Sequence, residues 1–205
     1  MKKEYVEKFV PYKQGKSIKG TETEKNLLKS FAGESQARQR YLMFADIARE
    51  EGYEQIAAIF EETALNEKTH AETFFSFLEG EMVEIQASYP AGKIGNTYEN
   101  LLQAAEGEHE EFSKLYPEFA EIAAQEGFPR IANAFKLIAK VEEKHEERFR
   151  KLAQNIQESK VFAKDEPVVW ICRECGYIHV GPKAPAVCPC CLRPQSYFEI
   201  KAENY

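Results

Sequence analysis

Glu67 and His70, and again Glu142 and His145, stand three residues apart on what should be the greasy stripe of a helix. In steps of three and four, the second pair lies in the series Ile131, Phe135, Ile138, Glu142, His145, Phe149 and Leu152, which is otherwise apolar. That series is the core-facing seam of an amphipathic helix. The first pair lies in a matching seam, Ile56, Phe60, Thr63, Glu67, His70, Phe74 and Phe77. A lone glutamate on a helix is ordinarily a solvated surface residue. Here an unpaired buried carboxylate would cost several kcal/mol or give up its charge, so something cationic is expected among these residues.

The two halves of the chain repeat. "FADIAREEGYEQIAAIF" (44–60) matches "FAEIAAQEGFPRIANAF" (119–135), and "EKTHAETF" matches "EEKHEERF", both at an offset of 75. Upstream, "GES" at 33–35 answers "GEH" at 107–109, pairing Glu34 with Glu108 at an offset of 74. Two Glu-x-x-His motifs plus one Glu from each of two other helices form the ligand set of ferritin-like dinuclear carboxylate bundles. Glu34, Glu67, His70, Glu108, Glu142 and His145 meet that count. Glu111, three residues after Glu108 on the same face, is a candidate seventh ligand, the alternative being an exposed residue beside Glu110. The change of offset puts one extra residue between Glu108 and Tyr116, which predicts a π-bulge, and Pro117 eases the local break.

Mixed oxygen and imidazole ligands suit iron or manganese. Five carboxylates also lie near charge balance with two divalent or two trivalent ions. Two adjacent irons together give or take two electrons, the number needed to cleave a peroxide O–O bond. His70 and Glu111 would be alternative ligands to one iron, since ferric iron favours the hard anion and ferrous iron tolerates imidazole. A second site is written in the cysteines. Cys172 and Cys175, then Cys188 and Cys191, form two C-x-x-C knuckles, a four-thiolate site for zinc or a single iron. Cys190 is read as a spare thiol.

Four long helices must position these groups, expected at 21–50, 53–79, 97–126 and 129–158 from the breaks near Gly52, Gly80 to Gly95, and Gly127 to Pro129. The segment 80–96 is too long for a tight turn and is expected to cross the bundle. The expected organisation is an N-terminal arm (1–20), a bundle (21–158), a linker (159–169) and a small cysteine domain (170–205). The 205 residues, 43% hydrophobic and 30% charged, suffice for one core and one accessory module. A formal charge of −7 argues against nucleic acid or an anionic membrane as partner. No apolar run suits a signal peptide or a membrane span, so a cytoplasmic protein is expected.

"FAGESQARQRY", the two Glu-x-x-His repeats, "GEHEEF" and "WICRECGYIHVG…APAVCPCC" together resemble the rubrerythrin family from about residue 17 to 203. The resemblance implies a mainly α, ferritin-like four-helix bundle with a small C-terminal rubredoxin-like β domain. It further implies a di-iron centre on Glu34, Glu67, His70, Glu108, Glu111, Glu142 and His145, with one iron exchanging Glu111 for His70 as its redox state changes. Tyr41 and Tyr116 would donate hydrogen bonds to the carboxylates, and Cys172, Cys175, Cys188 and Cys191 would hold a third iron. The implied activity is a non-haem peroxidase that reduces hydrogen peroxide to water. Electrons would come from a donor such as a rubredoxin or an NAD(P)H-dependent reductase, in a homodimer or larger assembly. Two rivals share these residues, a ferroxidase or iron-storage protein and a structural bundle whose zinc ribbon acts as an adaptor. The arm before residue 16 is longer than the family pattern, and Cys190 is unusual beside a ligand.

Overall fold

The computed structural model describes residues 15–203; most of the expected N-terminal arm lies outside them. Helix α1 (Glu22–Glu50) turns through Gly52, at φ 82°, into α2 (Glu54–Phe75). An irregular crossover leads to α3 (Thr97–Glu110), which passes through a π-helical turn (Glu111–Leu115) into α4 (Tyr116–Gln125). Gly127, at φ 86°, then opens α5 (Pro129–Gln157). Helix α1 packs along α2, and α3 and α4 pack along α5. No helix among the described residues is long and apolar enough to cross a membrane.

The expected second helix stops at Phe75 rather than 79. Ser76 accepts the helix ending with its Oγ donating to Thr73 O, and Gly80 and Glu81 both take positive φ, which a helix cannot continue. The helix expected over 97–126 is continuous from α3 through the π turn into α4, and the predicted bulge is present, between Glu108 and Tyr116 as the repeat requires.

Helix starts are fixed by local and remote caps. Thr21 Oγ1 accepts from Glu24 N, and Asn96 and Glu99 form a reciprocal capping box. The repeat adds a second layer. Glu126 accepts from the backbone N–H groups of Glu22 and Thr23, while Glu51, its counterpart 75 residues earlier, accepts from Thr97 N. Each half thus closes the first helix of the other.

Two apolar clusters flank the bundle's middle, each mixing rings from both halves. Phe60 and Phe149 meet at 5.2 Å in one, Phe74 and Phe135 at 4.9 Å in the other. Burial of each ring contributes about 2–3 kcal/mol. Ile18, in the last residues of the arm, is fully buried in the second cluster.

The tail is a three-stranded antiparallel sheet in the order β2 (Ile178–Lys183), β1 (Ala163–Cys172), β3 (Phe198–Ile200) around Trp170 and Phe198. Strand β1 starts inside the stretch expected to be a linker, because Ala163 pairs with Lys183. The register shifts before Val168, where Pro167 has no N–H to give the ladder. Phe162 stacks on Tyr53 at 6.1 Å, and Ser196 Cβ lies 3.6 Å from where a Cβ on Gly52 would be, so the tail rests on the α1–α2 turn of its own bundle.

Candidate metal centres

Between the two apolar clusters the predicted ligands converge. Oxygen and nitrogen atoms of Glu34, Glu67, His70 and Glu142 lie within 4.8 Å of one another, and so do those of Glu67, Glu108, Glu142 and His145. Glu67 and Glu142 belong to both groups, as bridging carboxylates between two ions would. All six residues are buried.

The repeat reads directly as geometry. Tyr41 Oη donates to Glu108 Oε1 at 2.6 Å, and Tyr116 Oη donates to Glu34 Oε1 at 2.5 Å, so each half's tyrosine holds the other half's glutamate. This leaves Glu108 Oε2 and Glu34 Oε2 without partners, together with Glu67 Oε1, both oxygens of Glu142 and His145 Nδ1. Six orphaned buried atoms in one place contradict the rule that buried polar groups are satisfied. Their spacing explains it. His145 Nδ1 is 2.8 Å from Glu142 Oε2 and His70 Nδ1 is 2.9 Å from Glu142 Oε1, yet neither pair has hydrogen-bond alignment. The lone pairs point past one another towards shared centres, which is how ligands to cations are arranged.

Electrostatics agrees. Burial, with neighbouring carboxylates adding to it, holds Glu34 and Glu111 well above the usual carboxylate range and lifts Glu108 to about 8. Burial acts on Glu67 in the same sense, but His145 and His70 outweigh it and bring Glu67 to about 2. His145 would be lowered by burial, yet Glu108, Glu142 and Glu67 push it up to about 12, and His70 is raised likewise by Glu142, Glu34 and Glu67. Without metal, protons supply the missing positive charge.

Glu111 opens the π turn and stands outside both ligand groups. Its Oε1 lies 3.8 Å from where a Cβ on Gly33 would be, beside the residue preceding Glu34. The predicted set is therefore gathered as six converged groups and one neighbour. Asn66 completes it in a way the sequence did not reveal, since its Oδ1 lies 3.3 Å from His145 Nε2. Donation from Nε2–H fixes Nδ1 as the free ligand nitrogen. The repeat offered no signal here, because the counterpart of Asn66 is Val141.

In the tail, Cys172 Sγ and Cys191 Sγ are 3.7 Å apart, and Cys175 Sγ and Cys188 Sγ are 3.6 Å apart. A tetrahedron with metal–sulfur bonds of about 2.3 Å has edges of about 3.8 Å, and a disulfide would need about 2 Å. Burial works to raise the Cys188 thiol, but the N–H groups of Cys191 and Cys190 bring it down to about 7, favouring thiolate. Cys190 is exposed and outside the cluster. The knuckles are turned by Gly176 and Leu192, at φ 77° and 63°, each directly after the second cysteine of its pair.

Comparison with known proteins places this architecture. The rubrerythrin family model matches residues 25–153, and the model of the rubrerythrin rubredoxin-like domain matches 170–199. A rubrerythrin of Porphyromonas gingivalis is 56% identical over 93% of this chain and 95% of its own, and one of Clostridium perfringens is 57% identical over 93% and 100%. Among solved structures, nigerythrin in its fully reduced, all-ferrous state superposes with a TM-score of 0.58 at 32% identity, covering 95% of this chain and 93% of its own. With a di-iron site of carboxylate and histidine ligands in the bundle and a four-cysteine iron site in the tail, the chain belongs to the rubrerythrin family.

Proposed function

We propose that the protein is a peroxidase that reduces hydrogen peroxide to water at the di-iron site, drawing electrons through the four-cysteine iron. Glu34, Glu67, His70, Glu108, Glu142 and His145 would hold the iron pair, with Glu111 exchanging for His70 on one iron, and Cys172, Cys175, Cys188 and Cys191 would hold the third iron. The observation that supports the reading is the coexistence in one chain of two ligand groups sharing Glu67 and Glu142, suited to an iron pair, and a separate four-cysteine group suited to a single iron. When bound, the paired irons would supply the two electrons that an O–O bond takes, and an iron on the four cysteines would return them singly.

The chain's own residues prepare that site. Tyr41 and Tyr116 fix one oxygen of Glu108 and Glu34 and leave the other free. Asn66 fixes the ring of His145, whereas Val141 offers His70 no such anchor. The ring of Phe149 lies against Tyr41, and that of Phe74 against Tyr116, which keeps water from both hydroxyl contacts. Storage of iron fits less well, because a store needs no electron input to turn over.

Within one chain the tail sits at the α1–α2 turn. Glu34 lies 16 residues before the end of α1, about 24 Å along its axis. That length favours delivery from the tail of a neighbouring subunit in a dimer or larger assembly, itself charged by a rubredoxin or an NAD(P)H-dependent reductase. Two inactive variants test the whole scheme, Cys172→Ala without the relay and Glu67→Ala without the iron pair. Mixed after reversible dissociation, they should recover reductant-dependent peroxide turnover. Steady turnover by Cys172→Ala alone would remove the tail from the mechanism, and no recovery in demonstrated hetero-oligomers would make the relay intrachain.

A further inference from the structure

Beside the Tyr41–Glu108 and Tyr116–Glu34 contacts, a gap remains between helix α1 and the α3–π–α4 run, and the crossover residues Gln86–Pro90 roof it. The result is a cavity of about 410 Å³. It is lined by Glu111, Tyr41 and Tyr116, and the two tyrosines hold the ligands Glu108 and Glu34, so the cavity lies against the di-iron site. Small residues make the room, with Gly33 and Ala37 on α1 facing Gly107 on α3. The roof is anchored by Tyr89, whose Oη donates to Lys29 O at 2.7 Å. Its ring lies 3.6 Å from where a Cβ on Gly33 would be, so the roof and the Glu111 carboxylate close over the same bare point of α1.

Hydrogen peroxide, two heavy atoms, is little larger than a water molecule with its share of about 30 Å³. The cavity exceeds it by about tenfold and falls in the range of about 300–1,000 Å³ typical of small-molecule pockets. Ala37, Tyr89, Pro90, Leu115 and Phe119 give it apolar walls. Its charged lining selects no ion. Lys29 is tied to Glu22 and Asn26, Arg40 to Gln36, and the basic groups are matched by Glu110, Glu111 and Glu118.

Resting on the peroxidase reading, we propose that this cavity is a pocket for the organic part of an uncharged hydroperoxide, R–OOH, with R an apolar aryl or alkyl group. The hydroperoxy end reaches Glu111 while R lies under Tyr89 between Leu115, Phe119 and Ala37. The O–O bond breaks, two electrons come from the reduced iron pair, and two protons complete the products, R–OH and water. The same centre that disposes of hydrogen peroxide thereby takes oxidised lipid-like or aromatic molecules.

Cumene hydroperoxide and its product, 2-phenylpropan-2-ol, are the probes. Titrated into metal-free protein, the alcohol should give saturable NMR shifts concentrated on Ala37, Leu115 and Ala87, which involve no turnover. In iron-loaded protein, cumene hydroperoxide should be reduced with a kcat/KM within about tenfold of that for hydrogen peroxide. Ala87→Trp and Gln36→Trp narrow the cavity from the roof and from the wall, and neither residue is in the ligand set. At least one should lower kcat/KM for cumene hydroperoxide tenfold or more while leaving hydrogen peroxide within twofold. Absence of saturable shifts, or a ratio of the two kcat/KM values unmoved by both variants, overturns the pocket. Turnover of hydrogen peroxide without cumene hydroperoxide defeats this inference alone, whereas turnover of neither defeats the proposed function.

Discussion

Replacing Tyr116 by phenylalanine removes one oxygen and leaves the ring packed between Phe74 and Phe135, at 5.5 and 5.8 Å. The bond lost is the 2.5 Å donation to Glu34 Oε1, made where the tyrosine is 1% exposed and the glutamate fully buried. A hydrogen bond to a charged group contributes about 1.5–3 kcal/mol. That energy belongs to the ionised carboxylate, the form that binds metal, so the variant should bind ferrous iron more weakly by about 10- to 100-fold. The weakening should fall on the ion held by Glu34, Glu67, His70 and Glu142, and the second ion should be affected much less. Tyr41→Phe should show the mirror image, at the Glu108 and His145 side, because the repeat swaps the partners. Anaerobic calorimetric titration of the metal-free variants measures both affinities. If both ions bind to Tyr116→Phe within twofold of wild type, the hydroxyl does not hold Glu34 for metal and the reciprocal arrangement has no energetic meaning.

Iron loading at pH 7 should release protons, because Glu108, at about 8, and His145, at about 12, both hold protons in the metal-free protein. Iron affinity should therefore rise with pH, seen as acidification of weakly buffered protein. The metal-free fold should lose stability as pH climbs from about 5 to 9. Glu108 binds protons more tightly folded than unfolded above its ordinary 4.5, and His145 does so above 6.5, so both favour the folded state at low pH and lose that contribution as pH rises. A thermal melt that is flat over this range would show the charges are compensated elsewhere. Glu126→Gln should weaken the cap on the first helix by about 0.5–2 kcal/mol, lowering Tm by a few degrees with iron content unchanged. Glu111→Ala should keep two ferrous ions but recycle poorly after oxidation, checked by repeated anaerobic peroxide additions in a stopped-flow instrument; recycling equal to wild type would make Glu111 a surface residue.

Much of this is legible in the sequence because the chain says it twice. Buried Glu and His at the same two steps of two seams required a cation, and the single slip between offsets of 74 and 75 placed a bulge between Glu108 and Tyr116, where the π turn Glu111–Leu115 stands. What stayed hidden is long-range. Asn66 meets His145 across 79 residues with no repeat counterpart, and Tyr89 roofs the cavity from a stretch without periodicity. The start of β1 was equally opaque. "FAKDEPVV" alternates poorly and carries a proline, and it becomes strand because Lys183 pairs with Ala163 and Phe162 finds Tyr53. Helix α2 ended early for a reason of the same kind, since Phe77 extends its apolar seam and is buried after the helix has stopped.

The most direct test mixes fully reduced, iron-loaded protein with substoichiometric hydrogen peroxide under strict anaerobiosis and follows the iron spectra and retained metal together. One peroxide should oxidise the two bundle irons of one chain, yield water alone, and leave all three irons bound through repeated cycles of reduction. Oxidation that proceeds no faster than in a Glu67→Ala variant lacking the pair, or that deposits many irons per chain, would contradict a peroxidase and favour an iron store.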